Sequence, residues 1–352
     1  MTQSQLVHPE RATVATSYYL GAIKFAQQLA HQNALSLDWL NQFYIQANTN
    51  RVAASQYERL LERAATELNE PAFGLKYGLQ IDISSFNLLG YLAMSSATLA
   101  DASQIVNQYG VLVSELGQLE IESIKDKSSH QWLVKVLWRE RNKKHQGSTQ
   151  MIDGVLAGWI NFGKKFLGQP AAIHSVHLTA RNNSAKVYQD FFECPVILGD
   201  QENFILIDQQ LFDLPLQQAE PSVHAAIQIK AELAIKEIGD LALPITHQIN
   251  NHLPTLIFKG EATIETLASA LNMTSRSLQR KLKTEGVNFR RLLDQARFDL
   301  TRQLMIEKEQ PLSHISGIVG FNDQSSFNRA FKRWTGQTPH EYLLSLDHSS
   351  NS

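Results

Sequence analysis

The sequence predicts an α+β N-terminal domain over residues 1–238 and an all-α C-terminal domain over 239–352, the latter with two helix-turn-helix motifs joined by a long helix. Three observations predict it. Apolar residues recur at helical spacing through most of the chain but alternate in a few short stretches, all of them before residue 210. A pattern of about twenty residues beginning at Ile264 returns near Leu312, offset by 48 or 49 positions. Lysine and arginine gather in that repeated region. At 352 residues and 43% hydrophobic, the chain can bury two or three separate cores.

Taken in order, Tyr18 to His31 sets Tyr18, Tyr19, Ala22, Ile23, Ala26 and Leu29 on one helical face, and Val52 to Leu68 repeats the spacing. Ser84 to Leu116 is apolar-periodic and reads as two helices broken near Ser95-Ser96, the second capped by Asp101 or a nearby hydroxyl. The period then shortens to two. Leu119 to Ile124 and His130 to Trp138 alternate, with Trp132, Val134 and Val136 on one face and turn-forming residues Lys125 to Ser129 between, which predicts a hairpin. Met151 to Phe166 returns to helix, Ile173 to Leu178 and Phe204 to Ile207 read as strands, and Ser184 to Phe192 as a short helix between them. Pro221 opens a connecting helix that runs to about Ile238, beyond which the pattern is helical throughout.

Composition closes several function classes. The 32 Lys+Arg against 34 Asp+Glu give a formal charge of −2, but twelve bases against nine acids between Gly260 and Tyr342 make that segment +3 and leave −5 elsewhere. Six bases lie between Arg276 and Arg291 with only Glu285 opposing them, the kind of clustering a polyanion feels. One cysteine, Cys194, excludes an intramolecular disulfide and a Cys-rich zinc or iron–sulfur site. His174 and His177 are three apart on an expected strand and read as structural or surface residues. No apolar run approaches the ~18 residues of a membrane span, and Met1 to Glu10 lacks a basic-then-apolar signal. The expectation is a cytoplasmic protein without membrane, metal or cofactor. Glycine-rich phosphate loops, a Gly-x-Ser-x-Gly elbow and a His-Glu-x-x-His pair are all missing from the sequence, so no enzyme class is indicated.

The repeated pattern carries the functional signal. In each copy a short helix has apolar residues four apart (Leu267/Leu271, Ile315/Val319) and a small residue, Ala268 or Ser316, where a second helix crosses. A residue tolerant of left-handed backbone follows, Asn272 or Gly320, then an apolar plug, Met273 or Phe321, then a cap, Thr274 or Asn322/Asp323. The next helix buries Leu278/Leu282 or Phe327/Phe331. The units are expected over 262–284 and 312–334, with a linker helix over 288–307.

With those residues inside, helical geometry turns Arg276, Gln279, Arg280 and Lys283 outward from the first unit, and Ser325, Asn328, Arg329 and Lys332 from the second. Ser275, Ser277 and Gln324 flank them at the helix starts. Arginine, glutamine, asparagine and serine suit base edges in a major groove, and lysine suits phosphate. Arg280 and Arg329 fit base, phosphate or fold-bracing roles alike. Arg290, Arg291 and Arg297 read as a solvated helix face, and Trp334 as core. A linker of some twenty residues spans ~30 Å at ~1.5 Å per residue, near the ~34 Å turn of a duplex, so double-stranded promoter DNA is the expected partner.

The stretch from Leu312-Ser313-His314-Ile315 through Gly320-Phe321-Asn322-Asp323-Gln324-Ser325-Ser326-Phe327 to Trp334-Thr335-Gly336-Gln337-Thr338-Pro339-His340-Glu341-Tyr342 resembles the C-terminal signature of AraC/XylS-type regulators. The first unit matches too, with Gly286 and Phe289 leading into the linker; Gly317 departs from it where helix-favouring residues are usual. Upstream, Phe73-Gly74-Leu75-Lys76-Tyr77-Gly78, Leu89-Gly90-Tyr91, Thr98-Leu99-Ala100-Asp101-Ala102 and Asp190-Phe191-Phe192 are similar to the effector-binding half of the subgroup with ornithine- and arginine-responsive members. The resemblance implies a transcription regulator controlled by an amino-acid-like or other small organic effector in the N-terminal half. Homodimerisation and RNA polymerase contact are the expected outputs. The alternative is a ligand-free regulator whose N-terminal half serves only dimerisation or docking. The methyl-accepting DNA repair proteins, enzymes that share such DNA-binding units, need several cysteines, which Cys194 alone cannot supply.

Overall fold

The computed structural model describes residues 12–47, 49–126, 131–140, 148–167, 173–180, 185–238, 245–285, 287–307 and 310–349. They group into two compact units. The expected hairpin turn (in part), Gly286 and the two ends of the chain lie outside the described residues.

The first unit opens with strand β1 (Thr13–Ala15), helix α1 (Thr16–Gln32), strand β2 (Arg51–Ala53) and helix α2 (Ala54–Glu67). β1 and β2 pair antiparallel, Val14 opposite Val52. This corrects the expectation of a helix from Val52: Val52 is a strand residue, and Arg51 holds the strand in place. The Arg51 guanidinium donates to Thr13 Oγ1 at 2.6 Å and to the carbonyls of Leu112 at 3.0 Å and Val111 at 3.1 Å. α1 buries Tyr18, Tyr19, Ala22, Ile23, Phe25 and Ala26, and the Tyr18 ring packs on Tyr57 and Phe86.

Next come α3 (Phe73–Gln80), α4 (Asn87–Met94) and α5 (Leu99–Tyr109). The break at Ser95-Ser96 is where the spacing put it. The cap is Thr98, whose hydroxyl accepts from the Asp101 N–H while Asp101 accepts from the Thr98 N–H, a reciprocal capping box. Strands β3 (Gly117–Lys125) and β4 (Trp132–Glu140) follow, then α6 (Thr149–Leu167), β5 (Ile173–Leu178), α7 (Ala185–Phe192), β6 (Val196–Leu198) and β7 (Asn203–Asp208). The one-turn α8 (Gln209–Phe212) and the long α9 (Pro221–Ile238) complete the unit. The five strands form one sheet in the order β3-β4-β7-β5-β6, with β7 antiparallel to both β4 and β5 and β6 parallel to β5. An ion network crosses its β3-β4-β7 side, where Lys135 and Arg139 meet Glu202 and Arg139 also meets Glu120. His177 is structural here: it stacks on Phe204 and hydrogen-bonds Asp200 at 2.7 Å.

Two features of α6 position the rest. One face meets α3 backbone to backbone, through Gly74 and Gly78 on α3 and Gly154 and Gly158 on α6. A β-carbon at Gly74 would stand 2.0 Å from the Gln150 carbonyl oxygen. The same helix buries Asp153, whose Oδ2 accepts from the Tyr188 hydroxyl at 2.9 Å while Oδ1 has no partner among the described residues. Burial pushes this carboxyl up to about 7, opposed by the Tyr188 hydrogen bond and reinforced by the charge of Glu62. A further face of α6 borders, with α4, α5 and the sheet, an apolar cavity of about 140 Å³.

Among the described residues from Ile245 onward, which belong to the second unit, the elements are all helices: α10 (Ile245–Phe258), α11 (Ile264–Ala270), α12 (Ser275–Glu285), α13 (Phe289–Glu307), α14 (Leu312–Ile318), α15 (Gln324–Thr335) and α16 (Pro339–Ser349). Its core collects Ile249, Leu253 and Ile257 of α10 with Leu267, Leu278, Leu282, Ile315, Val319, Phe327 and Phe331. Of the paired apolar residues that the repeated pattern placed inside, seven are buried and Leu271 is half-buried against the same core.

Candidate nucleic-acid interface

Each helix-turn-helix unit is built by local chemistry. α11 starts at Thr263, which forms a capping box with Thr266. It ends in a left-handed residue, Asn272 at φ +53°, and the Met273 N–H reaches back to the Ala268 carbonyl at 2.9 Å while the Asn272 N–H bonds the Ser269 carbonyl. The second unit repeats this bond for bond. Gly320 stands at φ +83°, Phe321 N–H bonds the Ser316 carbonyl at 3.0 Å, and Gly320 N–H bonds Gly317. Both turns are therefore Schellman closures. Ala268 and Ser316, the small residues of the pattern, are buried at the crossing.

The second helices start on caps that the sequence identified. Thr274 Oγ1 accepts from the Ser277 N–H at 3.2 Å. Asp323 accepts from the Ser326 N–H at 2.8 Å, and the hydroxyl and N–H of Ser326 hold its carboxyl below the usual range, so the cap stays anionic. α15 closes at Gly336, φ +80°, and α16 opens on a further capping box between Thr338 and Glu341.

The outward faces are as the buried residues dictate. Arg276, Gln279, Arg280 and Lys283 are exposed on α12, and Ser325, Asn328, Arg329 and Lys332 on α15. In both helices the four side chains occupy positions i, i+3, i+4 and i+7, a single stripe. Ser275, Ser277 and Gln324 are half-buried at the helix starts. Gln324 Nε2 donates to Asn328 Oδ1 at 3.4 Å and Arg329 Nη2 to Ser326 Oγ at 3.1 Å, contacts along α15 itself. Neither stripe carries an acid.

Arg297 departs from the expectation of a solvated helix face. Its Nη2 donates to the Gly320 carbonyl at 3.2 Å and its guanidinium lies 4.8 Å from the centre of the Phe321 ring, so it pins the turn of the second unit onto α13. The missed signal is its register, next to Thr301, which is fully buried one turn on. Trp334 is core, packed on Phe298, Phe321 and Phe331. Arg297→Ala is expected to destabilise the second unit by about 1–3 kcal/mol, the range for a charge-assisted hydrogen bond to a half-buried carbonyl. DNA affinity and melting temperature should fall together, and a loss of affinity at unchanged melting temperature would reassign Arg297 to direct contact.

Two family models match the chain: "Arabinose-binding domain of AraC transcription regulator, N-term" over residues 44–216 and "Helix-turn-helix domain" over residues 267–345. Among curated proteins it is similar to the ornithine utilization regulator of Pseudomonas aeruginosa, 25% identical across 83% of this chain and 84% of that one. The HTH-type transcriptional regulator VirS of Mycobacterium tuberculosis is 24% identical across 81% of this chain and 82% of its own. Among solved structures, the transcriptional regulator CdpR from Pseudomonas aeruginosa aligns over 92% of this chain and 98% of its own at 20% identity, with a TM-score of 0.46. No helix among the described residues is long and apolar enough to cross a membrane. The chain belongs to the AraC-type transcription regulators: it is a sequence-specific DNA-binding protein with a ligand-binding N-terminal domain, and not an enzyme.

Proposed function

We propose that α12 and α15 are the two reading helices and that one chain lays both into successive major-groove segments of a promoter duplex. The observation that carries this is the repeated stripe at i, i+3, i+4 and i+7, basic and amide or hydroxyl in both helices and exposed in both. Arg276, Gln279, Ser325 and Asn328 read base edges; Lys283 and Lys332 hold phosphate; Arg280 and Arg329 serve either. Ser275, Ser277 and Gln324 contact backbone phosphates at the helix starts. The 19 residues of α13 span about 28 Å at ~1.5 Å per residue, which supports a spacing close to one duplex turn.

The DNA-binding domain is residues 239–352 and the effector domain residues 1–238, and the protein acts in the cytoplasm, where its DNA is. It works as a homodimer through α9, which exposes Val223, Ile229 and Leu233, and signals to RNA polymerase by changed promoter occupancy. The name of the Pseudomonas aeruginosa relative supports an amino-acid-like effector; the cavity of the first unit favours another class.

Genome-wide capture of the fragments retained by the full chain identifies the operator. On that operator, Arg276→Ala or Asn328→Ala is expected to cost about 1–3 kcal/mol and to relax preference at a single position. An equal loss on every sequence moves the residue to the phosphate class. Retention of full affinity and sequence preference by both variants sinks the proposal.

A further inference from the structure

We propose that the effector is an uncharged, mostly apolar molecule about the size of one six-membered ring, held in the cavity between α4, α5, α6 and the sheet. The proposal rests on the reading of the first unit as effector-binding and supplies its chemistry.

The walls decide the class. Phe86, Val106, Trp159 and Ile205 are typical of them, and no lining residue carries a charge. An α-amino acid brings an ammonium and a carboxylate, and burying either without a partner costs several kcal/mol, more than a ligand of that size recovers from contact. Lys165 comes within 5.8 Å of the centre of the Phe162 ring, but it is exposed and does not line the space. The one hydroxyl in the wall is Ser103, which donates to the Leu99 carbonyl at 2.8 Å. That leaves its oxygen to accept, so the one side-chain hydroxyl of the wall suits a ligand that donates a hydrogen bond. The volume sets the size. A dry cavity of about 150 Å³ lined by aliphatic and aromatic carbon admits one benzene-sized molecule, and this one is about 140 Å³.

Gly163 supplies the test. It lines the cavity, and a β-carbon there meets no heavy atom within 4 Å, so Gly163→Leu grows into the empty space without a clash at its root. The full chain is titrated with p-cresol and cyclohexanol, and separately with L-ornithine, L-arginine and hexanoate. Melting temperature and operator affinity are both read. The uncharged pair should raise the melting temperature, on the order of 5 °C near saturation, and change operator affinity. Gly163→Leu should abolish both responses while keeping ligand-free DNA binding.

Ser103→Ala keeps the shape of the site and should weaken p-cresol about tenfold, the worth of one hydrogen bond. It keeps the proposal exposed if Gly163→Leu fails to fold. Equal or larger responses to ornithine, arginine or hexanoate would overturn the uncharged class and leave the effector reading standing. No response to either set would overturn the effector reading itself.

Discussion

Gly74→Val is expected to cost more than about 4 kcal/mol, the range reserved for severe core disruption, and to leave the first unit unfolded near 37 °C. A β-carbon at position 74 would sit 2.0 Å from the Gln150 carbonyl oxygen and 2.7 Å from its carbonyl carbon, so the collision is with backbone and no rotamer relieves it. Relief requires α3 and α6 to part. Parting them breaks the hydrogen bond from the Gly74 N–H to Gln150 Oε1 at 2.7 Å, and the return bond from Gln150 Nε2 to the Pro71 carbonyl at 2.8 Å. It also opens the seam at Gly78, where a β-carbon would be 2.4 Å from the Gly154 carbonyl oxygen. Overpacking of a yielding core typically costs about 1–3 kcal/mol; this core has nowhere to yield. Calorimetry of the full chain measures it, with Gly110→Ala as control, since a β-carbon there meets nothing within 4 Å. A Gly74→Val chain that melts with the parent would mean the helices are not in backbone contact.

Asp153→Asn is expected to stabilise the protein at pH 8 by up to about 4 kcal/mol and to leave it nearly unchanged at pH 4. The carboxyl titrates at 3.8 in an open chain and at about 7 in the fold, chiefly because burial disfavours its charge. Between those values the folded state binds the extra proton, so stability falls as pH rises from about 4 to about 7 and is flat beyond. Each pKa unit corresponds to about 1.4 kcal/mol, and the displacement of about three units gives the ceiling. Asparagine never ionises, and its side-chain carbonyl still accepts from the Tyr188 hydroxyl. The measurement is the difference in unfolding free energy between parent and variant across pH 4–8, which cancels the other titrating groups. A difference that does not change with pH would show Asp153 to be solvated in the fold.

What was legible in the sequence follows the range of the interactions involved. The two helix-turn-helix units close through caps and turn bonds within a few residues of one another, at Thr274, Asp323, Asn272 and Gly320, so residue type and spacing reveal them. The outward stripes then follow from the buried Leu278, Leu282, Phe327 and Phe331 by geometry alone. The N-terminal half depends on distant partners. β1 and β2 are three residues each and are joined by a bond from Arg51 to Thr13, 38 positions away. Strands that short show no period of two. The sheet order passes from β4 to β7 to β5 across intervening helices, which no local pattern encodes. Gly74 and Gly78 stood out as part of a motif, but their reason, contact with a helix some 75 residues further along the chain, is tertiary. The cavity is a property of surfaces brought together by four elements and has no sequence signal of its own.

The glycine seam has a mechanical consequence. α6 is pressed against α3 on one side and borders the cavity on another, so a molecule entering the cavity pushes on an anvil. Displacement is left to the other walls, the sheet and the helices α4 and α5. Those helices are tethered to the start of α9: the Glu220 N–H bonds the Ser95 carbonyl at 3.3 Å, and Ser95 Oγ meets His224 Nδ1 at 3.2 Å. The stiffness of one helix pair thus gives the displacement a direction, toward the segment that leads out of the domain.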